Sequence, residues 1–197
     1  MRLAVKSLIM SKSFYETLVV ILIAVALFVG LRLTIQTYIV YGPSMEPNYW
    51  ENEWIIVNKM AFKSSEPNTG DIIVFQPPIP STKPFIKRVV GLPGESVEIK
   101  NGTVYIHKPD GTISTLYEPY IKEPFSTTYR SPVIGQDEYF VMGDNRNNSS
   151  DSRSGWLVSR DDIVGKAWIS IWPPRLWGVA DNYEQPTATI SSTNNSK

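Results

Sequence analysis

The chain has 197 residues with 19 basic and 19 acidic side chains, no cysteine and a single histidine. It therefore has no disulfide, no thiol nucleophile and no cysteine-ligated zinc, and one histidine cannot form a two-histidine metal motif. A Ser-His-Asp hydrolase would have to use His107, which precedes a turn in an alternating, strand-like stretch and is expected at the surface. Proton transfer near neutral pH therefore needs another base.

The first 38 residues combine positive charge with a long apolar run. They carry a net charge of +3 and leave −3 on the remainder, because only Glu16 offsets Arg2, Lys6, Lys12 and Arg32. An acidic main body does not suggest a nucleic-acid-binding protein. From Leu18 to Tyr38 the run contains one charge, and as a helix it would span roughly 31 Å, which is one bilayer crossing.

The residues on either side of this run predict its orientation in the membrane and whether it is cleaved. Basic residues precede it and the next one is Lys59, so the positive-inside rule places the N-terminus in the cytoplasm and the remainder outside. A cleavable signal peptide would end in a small-x-small pattern, which residues 37–41 lack. A core helix of a soluble protein is disfavoured because the run has no polar face. The favoured interpretation is an uncleaved, single-pass membrane anchor over residues 1–38.

Residues 39–180 are predicted to form a mainly β domain of antiparallel, barrel-like type, since short alternating segments are separated by proline and glycine. The candidate strands are residues 53–58, 71–75, 84–90, 96–100, 103–107, 138–142 and 164–172. Asn101-Gly102 predicts a two-residue hairpin turn. Residues 108–136 are less regular and suggest an inserted excursion, and the polar tail 181–197 is expected to be disordered.

Three segments do not look like ordinary strands or turns. Gly42-Pro43-Ser44-Met45-Glu46-Pro47 is either a proline-bracketed turn or a rigid bend that presents Ser44 as a nucleophile beside backbone amides. Phe85 to Glu95 places adjacent cations, Lys87 and Arg88, on opposite faces of a strand, so one of them points toward the packed side. Gly143 to Arg153 is polar, and Arg146 at a ligand position excludes a calcium loop.

Together these segments resemble the type I signal peptidases, membrane-anchored Ser-Lys endopeptidases that remove signal peptides from exported proteins. The resemblance covers most of the chain, and its motifs follow the anchor in order. They are the Gly-x-Ser-Met-x-Pro box at 42–47, the Gly-Asp-Ile-Ile-Val-Phe strand at 70–75, the Lys-Arg-Val-Val-Gly-Leu-Pro-Gly-Glu box at 87–95 and the Gly-Asp-Asn-Arg box at 143–153.

The resemblance implies a role for individual residues. Ser44 would be the nucleophile and Lys87 the general base, Ser149 would orient the lysine, and an ion pair between Asp151 and Arg153 would support the site. Asp144 and Arg146 would be scaffold, and Arg88 would point away from the groove. Met45, Val74 and Ile86 would line the substrate groove. Gly42 departs from members that carry a hydroxyl there, so backbone N–H groups would have to form the oxyanion hole.

Lysine as the base agrees with the composition, but a lysine of pKa about 10.4 is almost entirely charged at pH 7. Desolvation would have to lower the pKa to about 8, where roughly a tenth of the molecules carry a neutral amine. The resemblance implies no metal or cofactor, and its substrates are preproteins with small residues at the first and third positions before the cut. Two alternatives stay open: a membrane-tethered β-domain that only binds partners, and a self-cleaving Ser-Lys regulatory protease.

Overall fold

The computed structural model describes residues 12–183, with side chains from Phe14 onward. Within this range one α-helix, α1 (Lys12–Thr34), precedes the strands, and short 3₁₀ helices connect some of them. The strands are β1 (Ile35–Ile39), β2 (Trp54–Asn58), β3 (Ile72–Phe75), β4 (Phe85–Gly91), β5 (Ser96–Lys100), β6 (Thr103–His107), β7 (Ile113–Thr115), β8 (Tyr129–Arg130), β9 (Glu138–Met142), β10 (Val158–Ser159), β11 (Ile163–Trp172) and β12 (Gly178–Val179). The prediction of a mainly antiparallel β protein behind one apolar helix is confirmed.

Helix α1 is long and apolar enough to cross a bilayer over Phe14–Thr34, and the structure buries none of it against the rest of the protein. Its last turn is closed by the Thr34 hydroxyl, which donates to the carbonyl oxygens of Gly30 and Leu31. The prediction that the membrane helix continues to Tyr38 is wrong at this end. Residues 35–39 alternate β-branched side chains and pair with β2 as an edge strand instead.

The larger sheet has eight strands, in the order β1-β2-β11-β3-β4-β9-β10, with β12 paired to β11. Every pairing in it is antiparallel. Strand β4 is central and buried along almost its whole length. Apolar side chains cover both of its faces, with Ile86 in one core cluster and Val89 in another. This sheet brings Lys87 into the interior of the domain.

A second sheet of four strands has the order β7-β6-β5-β8. Strands β5 and β6 form the predicted hairpin, in which Asn101 and Gly102 have φ values of 49° and 76° and Lys100 pairs with Thr103. Positive φ at both central residues is the conformation that an Asn-Gly turn favours. The 108–136 excursion supplies β7 and β8, so part of it extends this sheet. His107 lies here, with Nε2 2.8 Å from Glu98.

Two predictions concern residues beyond the described range. Arg2 and Lys6, which carry much of the N-terminal charge, lie outside it. The predicted polar tail lies outside it from residue 184 onward. The described part of that tail is ordered by contacts with the domain, since Asn182 Oδ1 accepts a hydrogen bond from the Ile72 N–H.

Candidate active site

Ser44 lies on a tight bend between β1 and β2. The Glu46 N–H donates to the Pro43 carbonyl at 3.1 Å, and the Tyr49 N–H donates to the Met45 carbonyl at 2.9 Å. Gly42 enters the bend with φ of +73°, a left-handed conformation that favours glycine. The bend is therefore held by its own backbone, and Ser44 occupies a defined position rather than a mobile loop.

A second segment, residues 143–145 after β9, holds this bend from the other side. The Asn145 N–H donates to the Ser44 carbonyl at 3.0 Å, and Asn145 Nδ2 donates to the Pro43 carbonyl at 3.2 Å. Gly143 permits this approach, because a Cβ there would lie 2.4 Å from the Ser44 carbonyl oxygen. Asn145 was not among the predicted site residues, although it lies inside the Gly-Asp-Asn-Arg motif.

Lys87 reaches Ser44 from the middle of β4. Its Nζ donates to Ser44 Oγ at 2.6 Å and to the Ile86 carbonyl oxygen at 2.9 Å, and the residue is 3% exposed. Burial away from water lowers the pKa of Lys87 to about 8, although the carboxylates of Asp151 and Asp144 favour the charged amine. With that pKa roughly a tenth of the molecules hold a neutral amine at pH 7, and this amine is in contact with a hydroxyl.

Backbone N–H groups near Ser44 are available to a developing oxyanion. The Ser44 N–H makes no hydrogen bond within residues 12–183. A Cβ added at Gly42 would meet open space, so no side chain occupies the place where a hydroxyl-bearing residue would stand. At residues 42–44 the donor open to a developing oxyanion is therefore the Ser44 N–H and not a side chain at position 42.

The predicted support for the lysine is present only in part. Asp151 and Arg153 form a two-pronged pair with N–O distances of 2.8 Å, and Asp151 also accepts from the Gly143 N–H at 3.0 Å. Although burial opposes it, Arg153 lowers the pKa of Asp151. Ser149 differs from the prediction, since within the described chain its buried Oγ makes no hydrogen bond to Lys87, and it acts instead beside Asp151, whose pKa it helps to lower.

Arg88, the neighbouring cation, points away from Ser44 and is fully buried. Its guanidinium donates two hydrogen bonds to Asp144, at 2.8 and 2.7 Å. It also donates to the carbonyl oxygens of Gly70 and Asp181. Asp144 in turn accepts from Asn48 Nδ2 at 2.9 Å. This buried pair therefore links β4, the nucleophile bend and the 143–145 segment, a role consistent with scaffold.

The 108–136 excursion contributes to this scaffold, which the sequence did not reveal. The Tyr120 ring lies 3.9 Å from the guanidinium carbon of Arg88, and the Tyr120 carbonyl accepts from Asn48. Glu118 pairs with the buried side chain of Arg146. In the sequence this segment showed only an irregular pattern, which carried no sign of these contacts.

Beside Ser44 and Lys87 opens a cavity of about 310 Å³. One wall is formed by residues 38–41 and the other by residues 81 and 83–86, which include Ile86, and Val74 also lines the cavity. Met45, which was expected to line the groove, is instead completely buried in the core with Ile55 and Val57. The bend that turns Ser44 toward the cavity turns the next side chain into the interior.

Comparisons with known proteins identify the family to which this chain is similar. The family described as "Signal peptidase, peptidase S26" matches residues 13–172. A probable signal peptidase I-2 of Synechocystis is 34% identical over 85% of this chain and 78% of its own length. A signal peptidase I of Leptolyngbya laminosa is 38% identical over 78% of this chain and 79% of its own. A crystal structure of a signal peptidase I from Enterococcus faecalis aligns at 30% identity with 52% of this chain and 97% of that chain, with a TM-score of 0.45.

Proposed function

The chain belongs to the signal peptidase family, peptidase S26, and on that basis we propose that it is a serine endopeptidase that cleaves signal peptides with Ser44 as nucleophile and Lys87 as general base. One observation carries the assignment of the two residues. The buried amine of Lys87 lies 2.6 Å from Ser44 Oγ at the wall of a cavity large enough for a peptide. A lysine with a purely structural role would not require a contact with a serine hydroxyl at the wall of a cavity.

The proposed reaction follows from this contact. Neutral Lys87 takes the hydroxyl proton as Ser44 Oγ forms a bond to the substrate carbonyl carbon. The main-chain N–H groups of the bend stabilise the resulting oxyanion. Lys87 then gives its proton to the departing amine as the peptide C–N bond breaks, which leaves an acyl-enzyme. Lys87 next takes a proton from a water molecule whose oxygen attacks the ester carbon, and it gives that proton to Ser44 Oγ as the ester C–O bond breaks.

The substrate is expected to bind as an added strand in the cavity. Residues 85–87 pair with β3 on one side, whereas pairing with β9 on the other side begins only at Arg88. The opposite wall continues from β1, which pairs with β2 alone. Two partly unpaired edges therefore face each other across the cavity, and an extended peptide would satisfy both. Val74 and Ile86 leave room for small side chains before the cut, in keeping with preprotein substrates.

The location follows from the same proposal. Helix α1 would cross the cell membrane once, with the N-terminus in the cytoplasm and the β domain on the outer face. Tryptophans support a domain that contacts the bilayer, because indole rings favour the interface between lipid and water. Trp54 and Trp172 are cross-strand partners that are 44% and 53% exposed, and Trp177 is 68% exposed.

Cleavage of a preprotein by the purified protein in detergent tests the proposal. The wild type should release the mature protein, and Ser44→Ala and Lys87→Ala should each reduce the rate at least about a thousandfold. Ser126→Ala and Lys122→Ala remove the same groups at exposed positions and should retain full activity. Cleavage by either dyad variant would refute the roles assigned to Ser44 and Lys87. An inactive wild type on several preproteins would instead favour a binding-only domain.

A further inference from the structure

A lysine other than Lys87 lies at the mouth of the cavity. Lys83 belongs to the loop between β3 and β4, and its Nζ is 3.5 Å from the centre of the Tyr41 ring on the opposite wall. Both residues line the cavity and both are exposed to solvent. The contact therefore joins two segments of the cavity lining at its solvent-exposed side.

The loop that carries Lys83 is ordered. The Lys83 N–H donates to Ser81 Oγ at 3.1 Å, and Ser81 Oγ donates to the Lys83 carbonyl at 2.8 Å. Gln76 Nε2 donates to the Ser81 carbonyl at 3.0 Å. Four prolines, at 77, 78, 80 and 84, restrict the backbone further. Lys83 is consequently held at the rim rather than carried on a loose segment.

The charge of the groove is one-sided. Among the described residues that line the cavity, the charged side chains are Lys83 and Lys87, and no carboxylate accompanies them. No ion pair neutralises Lys83 within residues 12–183; its recorded partner is the ring of Tyr41. When Lys87 is neutral, Lys83 supplies the positive potential of the groove.

We propose that Lys83, held over the groove by Tyr41, determines specificity by selecting against basic and for acidic side chains in the substrate close to the cut. This inference rests on the proposed function. Lys83 is four residues before Lys87, so at no more than about 3.5 Å per residue it reaches substrate positions within about four residues of the cleaved bond. A cationic side chain there would be repelled by Lys83, and an acidic one would replace the tyrosine ring as its partner.

Peptides made from one signal-peptide sequence test the proposal. Glu, Gln or Lys is placed singly at each position from the fifth before to the third after the cut, leaving alanine at the first and third positions before it. For the wild type, kcat/KM should be at least about fivefold higher with Glu than with Lys at one or more of these positions. Lys83→Glu should reverse that preference, and Lys83→Met should abolish it. Lys108→Glu makes the same charge change outside the cavity and should keep the wild-type preference.

Tyr41 variants separate the ring from its hydroxyl. Tyr41→Phe should keep the preference, whereas Tyr41→Ala, which frees Lys83 from the rim, should weaken it about twofold or more. For each variant the rates with Glu and Lys peptides are divided by its own rate with the Gln peptide, so that a general change in activity does not enter the comparison. An unchanged Glu-to-Lys ratio in Lys83→Glu would overturn this inference while leaving the dyad intact. Loss of cleavage of every peptide by the wild type would instead contradict the proposed function.

Discussion

The Nζ of Lys87 lies 2.6 Å from Ser44 Oγ, and these two atoms come from segments that share no secondary structure. Ser44 is on a bend after the edge strand β1, and Lys87 is in the middle of the buried strand β4. Burial in this position removes the amine from water, which lowers the pKa of Lys87 to about 8. The same burial that makes the amine available as a base should therefore be visible in stability as well as in activity.

Replacement of Lys87 by methionine should stabilise the folded protein near neutral pH. A pKa lowered from 10.5 to about 8 corresponds to roughly 3 kcal/mol against folding while the lysine is charged in both states. Part of this is offset by hydrogen bonds lost at Ser44 and Ile86, so we expect a gain of about 1–3 kcal/mol.

The gain should depend on pH in a defined direction. From about pH 8 to 10.5 the unfolded lysine holds a proton that the native one has lost, so wild-type stability rises with pH and the advantage of methionine shrinks. Thermal unfolding of both proteins in detergent at pH 7 and pH 10 measures this. A methionine variant less stable than the wild type at pH 7 would contradict the account.

Gly143→Ala should disrupt the site through its backbone. A Cβ there would lie 2.3 Å from Ser149 Oγ and 2.4 Å from the Ser44 carbonyl oxygen, and the carbonyl cannot yield without moving the nucleophile. We expect a loss of at least about a hundredfold in kcat/KM, since small displacements of reacting groups have effects of that size. Gly178→Ala, where a Cβ meets open space, is the control. Equal activities of the two variants would be inconsistent with this close approach.

Arg88 and Asp144 should behave as a coupled pair. Arg88→Met leaves the Asp144 carboxylate buried without its partner and should cost about 3–5 kcal/mol of stability. The double variant Arg88→Met/Asp144→Leu removes both charges and should cost less than Arg88→Met alone. Unfolding of four proteins, the wild type, Arg88→Met, Asp144→Leu and the double variant, measured side by side in one detergent, provides the cycle. A strictly additive double variant would show that the pair does not couple.

Ser149→Ala separates a catalytic from a structural role for this hydroxyl. Its Oγ is buried and helps to lower the pKa of Asp151 but makes no contact with Lys87, so removing it should leave stability within about 1 kcal/mol of the wild type. If the hydroxyl orients Lys87 during the reaction, kcat should fall about tenfold or more, with KM little changed. Full kcat in the alanine variant would remove Ser149 from the mechanism.

Most of the fold could be predicted from the sequence, because each strand carries its own alternation and turn residues. The seven predicted strands correspond to β2–β6, β9 and β11. Strand β1 was missed, since its apolar residues continue the run of the membrane helix and a periodicity cannot show where a helix yields to an edge strand. Hydrophobicity predicts only the length of the apolar run. The end of the helix is determined by the pairing of residues 35–39 with β2.

The site was less accessible to sequence than the fold. The motif resemblance identified Ser44 and Lys87. It did not identify the contacts that hold them in place, because Asn145 contacts the bend and Tyr120 contacts Arg88 across segments that are distant in sequence. Strand alternation suggested that only one of two adjacent cations would be buried. Lys87 and Arg88 are in fact both buried, because β4 is covered on both faces and each cation has polar partners there. Met45 was misplaced for a related reason, since the direction of a side chain on a bend follows no simple period.

The pH dependence of cleavage tests the central claim most directly. If Lys87 acts as a neutral base, kcat/KM on a preprotein must rise with pH through one ionisation with an apparent pKa of about 8 and level off above it. The wild type should show this rise, whereas Lys122→Ala, which changes an exposed lysine, should leave its midpoint unmoved. A profile that is flat from pH 6 to pH 10, or a midpoint near the 10.4 of a free lysine, would contradict the account.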